Sequence, residues 1–599
     1  MIRPRAQPEV TVECRVQAPA VGAITPGGDT MPEYSSRTQH QYLPELKEQL
    51  RKGEIDRREF LRTAVLLGVS TAGAYALAGE VLNQSVVRVA RAQSAQPRMG
   101  GNLRVGMSVM DITDPAKYDW PPKANVARQI IEPLVQIGLD NVARPHLAES
   151  WKPSADLKTW EFKLRRGIKW SNGDECNADD LIFNVTRWLD PATASSNQSR
   201  LRAMTVTTDT GRVNDRGQPI RRTSMAEGSI EKIDSHTVRF HLQTPDLAIP
   251  EALSDYPALL VHRRFADMGG DLRKNPIGTG PYRLVEHTVG QRSVLAKRPK
   301  ADYWGDEVYL DQITYVDLGE DPAAMIAALA SNQVDMNHQF SADAIEAIQR
   351  IPHLQLNEVG TSATGVARMR ITEKPFDDKR VREAIRLCVD HNRLLEIAYR
   401  GHGVPAEDHH VAPIHPEYAT LSDKLKPDIE KARALIKAAG YDNGLTVTLY
   451  TVAGPSWETI TSQAIAEMCK PAGINVQVNL MPGATYWDRW LSTPFGFTSW
   501  GHRPLGVQAL NLAYRTGGIW NESGHSDPEY DKWLQEASAT PDPKERQKIM
   551  EKLQRRLQEN SVISQGYWRS VINATNKRVK NFKIHVALEH HLNKVWLES

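Results

Sequence analysis

A chain of 599 residues is long enough for roughly three or four domain-sized units and too long for one small domain. Its 40% hydrophobic and 24% charged residues match an ordinary globular protein, which excludes a disordered chain. Lys and Arg number 74 against 72 Asp and Glu, with no long run of one sign, so a nucleic-acid-binding surface is not expected.

The first segment reads as an address. Residues 1–30 show no periodic apolar pattern, and Met31 offers a second start. Arg57 and Arg58, followed by Phe60 and Leu61, precede a charge-free Gly/Ala-rich stretch, residues 63–78. A permanent membrane helix needs about 20 apolar residues, so this stretch is expected to be removable. The paired arginines with Phe60-Leu61 resemble the twin-arginine translocation signal, which carries folded cargo. Ala90-Arg91-Ala92 supplies small residues flanking a cleavage point, and the processed chain would start near Gln93 with 62 residues of each charge sign. No lipobox cysteine is present, which points to an unlipidated periplasmic protein; the alternative is that residues 63–78 form an ordinary buried helix that follows two arginines. Cys14, Cys176, Cys388 and Cys469 are widely spaced, so inert free thiols are expected rather than a zinc site or a disulfide framework.

In the body of the chain, residues 103–107 alternate as a first strand, and residues 124–137 read as a helix. Residues 160–164 form a strand with Trp160, Phe162 and Leu164 on one face; residues 165–170 continue it as a hairpin, and residues 178–189 form a helix. Polar residues 209–222, with Gly211 and Gly217, suggest a surface hairpin or insertion. Further on come a strand at 313–316, a helix at 323–329, one long helix at 381–399, a strand at 445–450, a helix at 461–470 and a strand at 474–480. This alternation indicates a mixed α/β fold.

Several motifs in this order resemble one family. They are Glu149-Ser150-Trp151 with the stretch 157–180, Asn275 to Tyr282, Tyr303-Trp304-Gly305 with Ala328-Leu329 and Val334-Asp335, and Pro375 to Asp378 with Val381 to Ala384. Together they resemble the extracellular solute-binding proteins of peptide and nickel ABC importers, family 5. Most of these residues read as scaffold: Gly167 and Gly173 suit turns, and Asp179 or Asp180 can cap a helix. Gly278-Thr279-Gly280-Pro281 matches no phosphate-binding loop. The resemblance implies a two-lobed periplasmic-binding-protein fold (type II, cluster C). Lobe I would be residues 93–357 with an extra subdomain at about 139–275, and lobe II residues 358–570, with 571–599 returning to lobe I. The crossings would lie near 354–359 and 571–576.

The resemblance also frames the ligand. Peptide-binding members carry a tryptophan followed three residues later by an aspartate that meets the ligand's ammonium; here the tryptophan is Trp500 and the acid is replaced by Arg503. A guanidinium in a closed cleft repels ammonium and favours carboxylate or phosphate. Arg370, Trp520, Asn521 and Tyr514 are further candidates for the cleft, whereas Trp487 and Trp490 are expected to pack a helix on a sheet. His402, His409, His410 and His415 raise a nickel or haem alternative, although no carboxylate or thiolate spacing completes such a site. No GxSxG elbow or HExxH helix is present, and neither an enzyme, a cofactor nor a resident metal is expected. The expected partners are a small polar ligand (peptide-like, opine-like or sugar-phosphate-like), ABC permease subunits and, during export, the Tat translocase. The protein is expected to act as a monomer. A ligand-presenting sensory receptor would use the same lobes.

Overall fold

The computed structural model describes residues 40–82, 96–213, 219–421, 425–454, 456–518 and 520–598. Cys14, Ala90 and Ala92 lie outside the described residues. The backbone is a large mixed sheet whose strands run in the order Tyr282–Thr288, Arg292–Lys297, Gln312–Val316, Asn102–Gly106, Met336–Asn337, Ile563–Asn576, Leu354–Met369, Phe495–Trp500, Leu445–Val452 and Ile474–Met481. Parallel pairing occurs at both ends, Asn102–Gly106 on Gln312–Val316 and Leu445–Val452 on Ile474–Met481, so each lobe carries its own α/β core.

The two central strands belong to both lobes. Leu354–Met369 and Ile563–Asn576 pair antiparallel from Leu354 opposite Asn576 to Arg368 opposite Ile563, with register shifts between Gly360 and Val366. Beyond the shift the first strand pairs with Phe495–Trp500, Thr364 lying opposite Trp500. The far end of the second strand reaches Met336–Asn337. A smaller antiparallel sheet (Ala148–Pro153, Thr159–Leu164, Thr237–His241, Ile230–Asp234) forms a separate layer, stacked on Trp160, Phe162 and Phe240. Next to it Thr205–Val213 and Pro219–Met225 form an exposed hairpin in the polar stretch.

Three elements differ from the sequence reading. The helix expected over 124–137 is Pro121–Ala127, and the chain then turns into a strand, Val135–Ile137. The carbonyls of Gln129 and Ile130 are given instead to the amides of Tyr282 and Gly280, and Pro133 lacks the amide a helix would need. Gly278 is required at this crossing, because a Cβ there would lie 1.8 Å from the Ile130 carbonyl oxygen. The long helix expected over 381–399 is two, Lys379–Leu387 and His391–Tyr399; Asp390 restarts the second by accepting from the Arg393 amide at 3.0 Å. Residues 165–170 form a turn closed by one bridge, Lys169 to Glu175, while Thr159–Leu164 pairs with Ala148–Pro153 and Thr237–His241.

The apolar stretch after Arg57-Arg58 is folded as two helices, Arg57–Leu66 and Thr71–Val81, broken where Gly68 takes a φ of +87°. Asp56 and Ser70 cap them. Phe60, Leu61, Ala64 and Val65 are buried in the main apolar core, while Arg57 and Arg58 face solvent. Polar contacts tie this unit to both halves of the chain: Trp151 Nε1 donates to the Val65 carbonyl at 3.1 Å, Tyr75 to Asp140 at 2.9 Å, and Gln49 to Asp542 at 3.2 Å. Arg62, buried, donates to the Asn141 carbonyl, and Glu59 lies 3.6 Å from Arg546. Among the described residues no helix is long and apolar enough to cross a membrane. Cys176, Cys388 and Cys469 are buried and free.

Candidate functional site

The strand Phe495–Trp500 ends at the crossing of the two lobes and delivers Trp500 and Arg503. Trp500 is buried; its Nε1 donates to Glu522 at 2.9 Å, and its ring meets His410 and Trp520 edge-on at 4.8 and 5.8 Å. Glu522 also accepts from Arg368 Nε (3.0 Å) and Thr498 Oγ1 (2.7 Å), so the carboxylate is fully engaged. Beyond Trp500 the backbone is fixed from outside. Ser362 Oγ accepts from the Arg503 amide at 3.1 Å, and His415 Nε2 donates to the Arg503 carbonyl at 3.0 Å. His415 accepts from the Ala412 amide through Nδ1, and burial lowers its pKa to about 4, so the ring is neutral in this role.

The Arg503 side chain is buried and shares its surroundings with Arg200, whose side chain is 4% exposed. Arg200 Nε donates to Asp255 Oδ2 at 2.7 Å, while Arg503 Nε stands 3.9 Å from the same oxygen. Both guanidiniums lie over the same two rings, Tyr256 (5.4 Å each) and Trp520 (5.1 and 5.7 Å). Burial opposes the charge on Asp255, but Arg200 and Arg503 more than offset it and hold the carboxyl below its usual range. Among the described residues Arg200 Nη1 and Nη2 and Arg503 Nε have no hydrogen-bond partner, while Arg503 Nη1 donates to the His502 carbonyl at 3.1 Å and Nη2 to the Tyr256 hydroxyl at 3.3 Å. The two side chains help to line a cavity of about 260 Å³ whose charged walls are Arg200, Arg202, Arg503 and Arg515 against Asp246 and Asp255. Burial raises Asp246 to a pKa of about 6.

The other sequence candidates are placed elsewhere. Trp520 forms the aromatic floor under the two arginines. Arg370 does not line the cavity; its guanidinium donates to the Leu491 carbonyl at 2.5 Å and lies 3.8 Å from Glu373. Arg370 follows directly on the end of the strand Leu354–Met369, away from the Arg503 cavity. Tyr514 is core: its hydroxyl is 2.8 Å from His410 Nδ1, and its ring packs on His525 and Tyr530. Asn521 bonds the carbonyls of Arg515 and His525 and accepts from the His525 amide, closing its own loop. Trp487 and Trp490 pack against each other at 5.8 Å.

The histidines do not converge on an ion. His402 pairs with Glu358, His409 with Glu407 and Gln554, His410 with Tyr514, and His415 with backbone. Among the described residues the group close enough to hold a metal is His585, Glu589 and His591. There Arg128 sits 2.8 Å from Glu589, and His585 is already engaged by the Ile137 carbonyl and the Ala587 amide. The cation that this carboxylate needs is supplied by the chain. Arg200, Arg202, Asp255 and Tyr256 escaped the sequence reading because nothing local marks them; they meet Arg503 across about half the chain.

Residues 142–521 match the bacterial extracellular solute-binding proteins, family 5. The chain belongs to this family. Its members are binding proteins rather than enzymes, and the two-lobed fold agrees with their solved structures. The periplasmic oligopeptide-binding protein OppA of Haemophilus influenzae is 26% identical over 73% of this chain and 82% of its own length. The structure of DppA from Helicobacter pylori with the peptide STSA overlays with a TM-score of 0.72 at 21% identity, over 84% of this chain and 99% of that one. That of AgaA from Agrobacterium tumefaciens with agropinic acid gives 0.71 at 25% identity, over 83% of this chain and 99% of that one.

Proposed function

We propose that this protein is the periplasmic substrate-binding component of an ABC importer and that its ligand is small, polar and anionic. The observation that carries the reading is a cavity whose walls hold Arg200, Arg202, Arg503 and Arg515 against only two carboxyls, Asp246 and Asp255. An arginine fork meets a carboxylate or phosphate with two parallel hydrogen bonds, and an acid offsets the excess of positive charge in the wall. A peptide ammonium would meet two cations and one already neutralised carboxylate there. The resemblance to an agropinic acid complex supports an acidic ligand, while the oligopeptide-binding relatives favour a peptide-like one. Lobe closure about the crossing strands would enclose the ligand for delivery to permease subunits. The same reading has the chain exported by the twin-arginine route, cut after Ala92, and working as an unlipidated monomer.

Thermal-shift screening of ligand-free protein against sugar acids, opines, sugar phosphates and dipeptides tests it. A micromolar ligand at millimolar concentration adds about 4 kcal/mol of stability. Acids should give the largest shifts, and Arg503→Ala should abolish them with its circular dichroism unchanged. Largest shifts from cationic, carboxylate-free compounds would overturn the proposal.

A further inference from the structure

The cavity beside Arg503 has a second cationic end. Arg202 and Arg515 line it together with Arg200 and Arg503, yet neither forms an ion pair among the described residues. Arg515 donates to Asn511 Oδ1 at 3.1 Å, a neutral partner. Burial and the nearby Arg515 charge both lower the pKa of Arg202, and Asp531 offsets them only in part, so the two guanidiniums repel each other. At the first end, by contrast, Asp255 already offsets one of the two charges. Four guanidiniums therefore line the cavity against two carboxyls, Asp246 and Asp255. A monoanion would leave positive charge enclosed; two acidic groups on one ligand would balance it.

We propose that the ligand is a small polar diacid, one acidic group read by Arg200 and Arg503 and the other by Arg202 and Arg515. This rests on the anionic-ligand reading above and narrows it. The volume of about 260 Å³ suits a molecule the size of a sugar acid, and Gln508, Asn511 and Gln535 line the space between with groups that bond hydroxyls. Arginine suits both ends, since its planar fork meets a carboxylate at two points.

Glucarate and gluconate isolate the second group, sharing a carbon chain and differing by one carboxylate. Isothermal titration on the full chain should show glucarate binding about tenfold or more tighter than gluconate, the gain expected for one well-formed charged pair. In Arg202→Gln/Arg515→Gln the preference for glucarate should fall to about threefold or less, whereas Arg200→Gln should weaken both acids. Ligand-free melting curves matching the parent show that the variants fold. Equal affinity for the two acids in the parent, a preference that survives in the double variant, or no binding of either acid at millimolar concentration overturns the diacid assignment. Equal but measurable affinity leaves the anionic-ligand reading standing; tighter binding of a lysine-rich dipeptide sinks both.

Discussion

Removing the Glu522 carboxylate tests the scaffold that places the binding wall. Glu522 is buried and receives Arg368 Nε at 3.0 Å, Thr498 Oγ1 at 2.7 Å and Trp500 Nε1 at 2.9 Å. The Arg368 side chain is fully buried and otherwise bonds only the carbonyls of Thr493 and Trp490. Glu522→Ala strands a buried guanidinium, and breaking such a pair from one side costs about 3–5 kcal/mol. Glu522→Gln keeps the shape and part of the hydrogen bonding, so about 2 kcal/mol is expected, near one charged hydrogen bond. Urea unfolding followed by tryptophan fluorescence measures both, with the slope on urea held constant as the check that only stability changed. The double variant with Arg368→Met should cost less than the sum of the two singles, a coupling of about 0.5–3 kcal/mol. A loss under about 1 kcal/mol for Glu522→Ala would place the pair among weak surface bridges and refute the argument.

Asp246 gives the cavity a pH dependence. Its pKa of about 6 means that it gains negative charge as pH rises through that value, so an anionic ligand should bind more weakly at pH 7 than at pH 5. Asp246→Asn should flatten the profile in titrations across that range. Glu251 is buried, its Oε2 has no partner, and burial raises its pKa to about 8. The folded state thus binds the proton more tightly than the unfolded chain, and the resulting stability is present below the unfolded value and lost as pH climbs to about 8. Glu251→Gln should be the more stable protein at pH 8 and equal to the parent at pH 4; equal melting temperatures at both would count against burial of the charge. In the full chain, trypsin should cut after the exposed Arg57 and Arg58 but spare the buried Arg62. Phe60→Asp, which puts a charge at a fully buried position, should open the Arg62 site to cleavage, as read by mass spectrometry.

Much of the scaffold was legible because it is periodic and local. The strand with Trp160, Phe162 and Leu164 on one face, the helix beginning at Ala178 and the strands near 445 and 474 follow from alternation and caps within ten or so residues. The reading failed where distant backbone intervened. The run 124–137 looks helical until its carbonyls are claimed by the loop at Gly278–Tyr282. At the site, Arg503 could be singled out beside Trp500, but Arg370, Tyr514 and Asn521 could not be sorted from it without knowing which way each strand end points.

What the sequence alone determined is the order of motifs, the α/β alternation and the reversed charge at Arg503, all properties of neighbouring residues. Only the tertiary structure decided that Arg503 shares one carboxylate and two rings with Arg200 and opens onto Arg202 and Arg515. Side chains some 300 positions apart share no local pattern, and only the folded chain brings them to one carboxylate.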